Sequence, residues 1–457
     1  MKIFKKITLF VLTLSMIVGL IVFTPTKSNA AMKLISNKKI TVTVGDLDVI
    51  VVKNAKTYKK VKYVSSNKKI ATVNKKGFVT GKNPGICTIT IKADSKKAKS
   101  KVTVLPKEVE ISTATLVSET SAKVTWVPTR GVSGYYIYYS TNPNKNFKKV
   151  IVKGAKTNNA TIQKLVLGNT YYFKVKAYVK SGKKTLVGKT FSNTLDVKTW
   201  KMVWNDEFSG TALDTSKWAY STGNTGYGSS MLVDYQKECS EVKDGNLLIK
   251  PEFQWNTSSN KAVSESYRSA MITTQNHYEV KYGKIEIRAK VPKGQGTWSA
   301  AWMLGTENTW PHSGEIDILE ATQNLGKPHI EQCIHCTKFN VLSSGTGSKH
   351  QATEVADAST AYHTYGIVWT KNAITFTIDG KDTWTYDPSE YMQAASNATD
   401  QSDIWPFNNP FYLILNCGLG DALGGEIHPE SWTKISSDGD IDTYQDCFSI
   451  DWVRVYQ

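Results

Sequence analysis

The run Ser313-Gly-Glu315-Ile-Asp317-Ile-Leu-Glu320 sets three carboxylates within six residues, interleaved with apolar side chains. On a regular strand successive side chains alternate between faces, so Glu315 and Asp317 share one face and Glu320 points to the other. One bulged residue, Ile318 or Leu319, returns Glu320 to the side of the other two. Crowding like charges raises each carboxyl's pKa and disfavours the ionised forms, so a strand selected for stability alone avoids it. Cleavage of a glycosidic bond needs it. One ionised carboxylate attacks the anomeric carbon and one protonated carboxyl releases the leaving oxygen, about 5–5.5 Å apart where configuration is retained. With a strand rise of about 3.3 Å per residue, residues 315 and 320 must lean their side chains inward over Asp317 to reach that separation. A calcium cluster is the competing reading of the three acids. Ile316, Ile318 and Leu319 mark a half-buried strand and argue against a merely solvated acidic face.

The elements that position this run are strands. Period-two patterning continues through 200–457, as in Lys284-Ile-Glu-Ile-Arg-Ala-Lys-Val291, Ile374-Thr-Phe-Thr-Ile378 and Phe411-Tyr-Leu-Ile-Leu415, and no stretch carries a long amphipathic helix. Such a portion, 258 residues of many short strands, predicts a large two-sheet sandwich. Twelve of the 13 Trp residues lie in it. Trp298 and Trp302 have even spacing, so both rings can face one side as platforms for the apolar faces of sugars, with Trp310 as a third candidate. Core packing is the alternative for each.

Upstream, the chain changes character twice. Residues 1–30 read as a secretory signal: Lys2, Lys5 and Lys6, an apolar run from Ile7 to Phe23, then Ser28-Asn29-Ala30 as a small-residue cleavage site. A retained anchor is the alternative, and no later segment has the length and apolarity to span a bilayer. From Lys33 to Val104 short β-branched runs such as Ile40-Thr-Val-Thr-Val44 and Cys87-Thr-Ile-Thr-Ile91 predict a small β-sandwich. Pro106 marks a boundary, and 107–199 read as about seven further strands with Trp126 as a core aromatic. Residues 31–199 hold 34 basic and 7 acidic side chains, whereas 200–457 hold 19 and 32. The formal net charge of +18 therefore describes neither half, and nucleic-acid binding is not expected. The basic modules present either a solvated lysine surface or an attachment to anionic wall polymer.

Beyond the acidic run, Glu315-Ile-Asp-Ile-Leu-Glu320 resembles the bulged, laminarinase-like signature of glycoside hydrolase family 16. The resemblance extends across 200–457 through Trp204-Asn-Asp-Glu-Phe208, Leu213-Asp-Thr-Ser-Lys-Trp218, Lys281-Tyr-Gly283, Pro292-Lys-Gly-Gln-Gly296, Trp298-Ser-Ala-Ala-Trp302-Met-Leu-Gly305 and Asp451-Trp-Val-Arg-Val-Tyr456. It implies a jelly-roll sandwich whose concave sheet holds polysaccharide in an open cleft. Glu315 would be the nucleophile, Glu320 the general acid and then base, and Asp317 the residue that separates their pKa values. His335 matches a position near the leaving group. The family often holds a structural Ca²⁺ on its convex face, and the matching positions are the Glu207 side chain, the Gly245 carbonyl and the Asp451 side chain. Catalysis itself implies no cofactor. Residues 32–106, with Val64-Ser-Ser-Asn67, Ile70-Ala-Thr-Val73 and Gly77-Phe-Val-Thr-Gly81, resemble a bacterial immunoglobulin-like domain. Residues 107–199 resemble a fibronectin type III domain, with Tyr171 as its corner tyrosine.

Two departures bear on specificity. Laminarinase-like members commonly carry Asn-Asn-Glu-Leu-Gln where this chain has Ser229-Ser-Met-Leu-Val233, and Arg where it has Met271. Both changes remove groups that help discriminate linkages, with Arg268 as a candidate substitute. The six cysteines include an odd five after residue 200, so buried thiols are expected rather than a full disulfide set. Cys333-Ile-His-Cys336 has a superficial metal-ligand spacing, but positions 333 and 336 face opposite sides of a strand. Taken together, the sequence predicts an all-β, monomeric, secreted or surface-associated enzyme. It would comprise two small β-sandwich modules and a jelly-roll catalytic portion acting on β-1,3- or mixed β-1,3/1,4-glucan. The rivals are a galactan-directed relative, a transglycosylase and a non-catalytic glycan-binding protein.

Overall fold

The computed structural model describes residues 34–224, 233–307, 309–322, 328–340, 347–392, 398–420 and 424–457. The signal-like segment 1–30 and Ser229–Leu232 lie outside the described residues. Among the described residues no helix is long and apolar enough to cross a membrane. The chain is all-β, and the only α-helices among the described residues are the short segments Ser389–Met392 and Ala398–Ile404.

Two small sandwiches come first. One packs a four-stranded against a three-stranded sheet around Ile40, Ile50, Val79, Ile89, Ile91 and Val102. The other packs a five-stranded against a three-stranded sheet around Trp126, Tyr135, Phe173 and Val175. In the second, the Tyr171 hydroxyl accepts the Val166 backbone N–H at 3.0 Å, the local tie expected of a corner tyrosine.

The portion after residue 200 is a jelly-roll sandwich. Its inner, concave sheet has seven strands, β1 (Ala219–Tyr220), β2 (Met271–Thr273), β3 (Thr297–Gly305), β4 (Glu315–Thr322), β5 (His329–His335), β6 (Lys349–Glu354) and β7 (Phe411–Leu419), in the spatial order β1-β2-β7-β3-β4-β5-β6. Every pairing in it is antiparallel. An eight-stranded outer sheet, including Gly283–Lys290, His363–Trp369 and Phe448–Tyr456, backs it. Alternation builds the core between them: Ile285, Ile287 and Ala289 from the outer sheet meet Ala301, Met303, Ile316, Leu413 and Leu415 from the inner one.

A third, five-stranded sheet comprises Asp234–Tyr235, Lys261–Ser269, Glu252–Asn256, Ile441–Gln445 and Thr433–Asp438. It supplies Tyr235 and Phe253 to a second apolar cluster with Val233, Met271, Ala300, Trp302, Leu304, Tyr412 and Ile414. That cluster lies on the face of β2, β3 and β7 opposite the main core. One half of the concave face is therefore packed over, and among the described residues the third sheet does not extend over the half carrying the acidic run.

Candidate active site

The strand β4 enters the sheet through Gly314, at φ 78, where an added Cβ would fall 2.9 Å from Pro406 and 3.0 Å from Phe411. Only glycine combines that backbone with that approach, and it delivers Glu315 as the first residue of β4. The register then slips: Ala301 faces Leu319 and Trp302 faces Asp317, leaving Ile318 as the extra residue. The same irregularity appears on the β5 side between Asp317 and Glu320. Ile318 and Leu319 both enter the main core and are wholly buried. Burying two adjacent side chains on one face turns the following residue over, so Glu315, Asp317 and Glu320 all project from the concave side.

Each glutamate is held by an indole. Trp310 Nε1–H donates to Glu315 Oε2 at 2.5 Å, and Trp298 Nε1–H donates to Glu320 Oε1 at 2.9 Å. Both rings are half-buried at the cleft, and Trp298 packs against Gly418 of β7. The even spacing of Trp298 and Trp302 does put them on one face, but their surroundings differ. Trp302 is only 7% exposed, lies in the apolar cluster and donates its N–H to Asn416 Oδ1 at 2.8 Å. It underlies the cleft wall and offers no open platform.

The three carboxyls all titrate high. Burial pushes Glu315 up to about 8, Asp317 adds repulsion, and His335 and the Trp310 hydrogen bond counter it. Asp317, 1% exposed, is raised by burial. Glu320 is raised well above the usual carboxylate range by burial and then by repulsion from Asp317 and Glu315. Glu315 and Glu320 each keep some surface open to the cleft. The hydrogen bond between Glu315 and Asp317 raises the first and lowers the second. The group acts as a coupled cluster carrying fewer than three charges near neutrality.

His335 stands opposite Glu315 in register, with Nε2 3.4 Å from Asp317 Oδ2. Glu331, which sequence reasoning missed, and Cys333, which it weighed only with Cys336, share its face, paired with Glu320 and Asp317 respectively. Glu331 adds repulsion to both Asp317 and Glu320. Strand alternation back from His335 carries the signal for both. Among the departures, Met271 and Val233 are buried in the apolar cluster. Arg268 lies 3.9 Å from Glu252, with half its side chain exposed, and pairs there within the third sheet.

On the convex side, Glu207 accepts a two-pronged contact from Arg454, Nε and Nη2 each at 2.8 Å. Asp451, the bulged residue opposite Arg288 and Ala289, pairs with the Arg288 guanidinium. Gly245 sits at φ 74 in the turn between Lys243 and Asn246. The two carboxylates proposed for calcium thus already hold arginine counter-charges, and a cation there must displace them. All six cysteines are unpaired thiols, and five are buried.

Two glutamates held by indole N–H groups on one face of an antiparallel sandwich are an arrangement that cleavage of a glycosidic bond can use. The comparisons with known proteins narrow the class. The profile for glycosyl hydrolases family 16 matches residues 233–407, and those for bacterial Ig-like domain (group 2) and fibronectin type III domain match 31–104 and 107–190. The chain is 32% identical to a beta-glucanase of Rhodothermus marinus, over 56% of this chain and 85% of that protein. It is 32% identical to glucan endo-1,3-beta-glucosidase A1 of Niallia circulans, over 56% of this chain but 38% of that one. The crystal structure of a laminarinase from Flavobacterium sp. UMI-01 aligns with a TM-score of 0.46 at 33% identity, covering 56% of this chain and 100% of that one. The chain belongs to glycoside hydrolase family 16.

Proposed function

We propose that the chain is an exported, retaining endo-β-glucanase that cuts β-1,3- or mixed β-1,3/1,4-linked glucan by double displacement. The observation that carries this reading is the bulge at Ile318, which sets Glu315 and Glu320 on one face with Asp317 between them. Trp310 donates to Oε2 of Glu315, and Asp317 hydrogen-bonds the same carboxyl. Trp298 donates to Oε1 of Glu320, so Oε2 is the oxygen that carries the acidic proton. In the first step the Glu315 carboxylate bonds to the anomeric carbon as the glycosidic C–O bond breaks, and the Glu320 proton passes to the leaving oxygen. In the second, Glu320 takes a proton from water, whose oxygen attacks the anomeric carbon and expels Glu315. Asp317 receives the proton that Glu315 must lose before attack, and His335 stands beside it. No cofactor enters, and water is the only co-reactant.

Glu315→Gln is expected to abolish release of reducing ends from laminarin and lichenan while leaving the fold intact. Retained turnover would remove Glu315 as nucleophile, and an inverted anomer in the first product, read by NMR, would remove the double displacement. The buried apolar pair Met271 and Val233 favours a second reading, a family member directed at another polysaccharide such as a galactan. Product analysis on oligosaccharides of defined linkage separates the two. Under the same proposal the signal-like segment exports the chain, which works as a monomer. Its basic modules hold it to anionic wall polymer, an attachment that raised salt would weaken. Structural Ca²⁺ at Glu207, Gly245 and Asp451 remains part of the proposal. Because Arg454 and Arg288 already neutralise both carboxylates, calcium is expected to shift Tm by no more than about 2 °C, whereas a strong site at high occupancy would shift it further. A calcium titration followed by thermal unfolding checks this.

A further inference from the structure

The strand β5 turns Glu331, Cys333 and His335 to the concave side, Cys333 buried at 1% exposure, while Ile330 and Ile334 enter the core. Cys336 turns into the core as well, so the Cys-x-x-Cys spacing is not a site. The alternation that separates Cys333 from Cys336 instead puts Cys333 beside His335, and the pairing of β4 with β5 sets Asp317 directly opposite Cys333. His335 Nε2 lies 3.4 Å from Cys333 Sγ and 3.4 Å from Asp317 Oδ2, and the three ligand atoms all fall within 4.8 Å of one another. A tetrahedral zinc ion with bonds of about 2.0–2.3 Å holds its ligand atoms roughly 3.3–3.8 Å apart. Two of the three ligand separations therefore already match.

A second observation points to a ligand. Asp317 is 1% exposed, yet its Oδ2, the atom aimed at His335, has no hydrogen-bond partner, and neither has the buried Nδ1 of His335. The carboxyl's neighbours on this side are His335 Nε2 at 3.4 Å and the Cys333 thiol, and a cation would bond the under-satisfied oxygen directly. The donor set of one sulfur, one imidazole nitrogen and one carboxylate oxygen suits zinc rather than calcium or magnesium, which take oxygen ligands.

We propose that Asp317, Cys333 and His335 bind one zinc-class divalent cation, with a fourth position open to the cleft, and that its binding arrests hydrolysis. The ion replaces the thiol proton of Cys333, takes the free oxygen of Asp317 and sets positive charge beside Glu315 and Glu320. Asp317 can then no longer receive the proton of Glu315. The arrest rests on the hydrolase reading; the binding does not.

The test titrates Zn²⁺ into the metal-free full chain against a chromophoric chelator. One equivalent per chain is expected, with affinity at least about tenfold weaker in Cys333→Ser and Cys333→Ala and unchanged in Cys447→Ser, a thiol outside the cluster. Co²⁺ should give a thiolate-to-cobalt charge-transfer band that Cys333→Ser lacks. Zn²⁺, but not Mg²⁺, should inhibit laminarin hydrolysis reversibly, and Cys333→Ser should resist that inhibition. Absence of stoichiometric binding, equal affinity in both Cys333 variants, or a cobalt band surviving in Cys333→Ser would overturn the site. Tight binding with undiminished hydrolysis would overturn the arrest. If the metal-free chain hydrolyses no polysaccharide, the function reading fails, and the isotherms still decide the site.

Discussion

The concave face of the inner sheet is two surfaces made by one rule. Residues 300, 302 and 304 of β3 point to the same side of the sheet as Glu315, Asp317 and Glu320 of β4. The first set lies under the third sheet, packed with Phe253, Tyr235 and Met271. The second lies beside that cover, with Glu315 and Glu320 keeping some surface exposed and Asp317 buried between them, so side chains equivalent by alternation meet different surroundings on neighbouring strands. What separates them is the cover, and the bulge that keeps Glu320 on the uncovered side. The polar groups follow the same division. Trp302 gives its N–H to a buried amide of the sheet, whereas Trp298 and Trp310 give theirs to the two glutamates.

Substitutions on the two sides should break different properties. The largest effect is expected in the open half. Glu315→Gln should lower kcat by roughly 10³-fold or more, and Glu320→Gln by on the order of 10²–10⁴-fold on substrates with poor leaving groups. Urea midpoints should be unchanged or slightly raised, because each change removes a crowded acid. In the covered half, Trp302→Ala should lower the stability of the catalytic portion by about 3–5 kcal/mol, read by urea denaturation. Any loss of activity should follow the unfolded fraction. A Trp302→Ala protein with unchanged urea midpoint but raised KM would show the ring to be a sugar platform after all.

The division between these halves was only half legible in the sequence. Alternation placed Glu315 and Asp317 together, and the odd spacing to Glu320 demanded a bulge at Ile318 or Leu319, which the register puts at Ile318. The same alternation put Trp302 beside Trp298. Period two reports the face of a strand and not what lies above that face. The covering strands Glu252–Asn256, Lys261–Ser269 and Ile441–Gln445 come from distant parts of the chain, and no local pattern announces where they settle. Glu331 went unnoticed, and Cys333 was weighed only with Cys336, for a related reason: each is an ordinary strand residue until pairing sets it against Glu320 and Asp317. The arginine partners of Glu207 and Asp451 likewise come from pairing across the outer sheet.

Trp298 tests the boundary between the halves with a smaller effect. Its N–H favours the ionised form of Glu320 by donating to it. Trp298→Phe keeps most of the ring and removes the donor, so the pKa of Glu320 should rise and carry the alkaline limb of kcat/KM upward by about half to one pH unit. A limb that stays in place while KM rises would leave Trp298 as a platform with no hold on the acid.

The smallest expected effect concerns stability, and its sign separates the halves cleanly. The covered cluster of apolar side chains has nothing to titrate between pH 5 and 8. Glu315 ionises near an ordinary carboxylate pKa in the unfolded chain but is pushed up to about 8 in the fold by burial and by Asp317. Between those values the folded state binds more protons than the unfolded one, so stability falls as pH rises. The contribution is full below the unfolded pKa and is lost as pH passes through the folded one. Asp317 and Glu320, shifted in the same direction, add to that slope. Thermal unfolding of the wild type should therefore show Tm declining from pH 5 to pH 8 by a few degrees more than in Glu315→Gln. Equal slopes in the two proteins would mean that Glu315 is as well solvated in the fold as in the unfolded chain, and the open half would then be open to bulk water rather than a desolvated cleft.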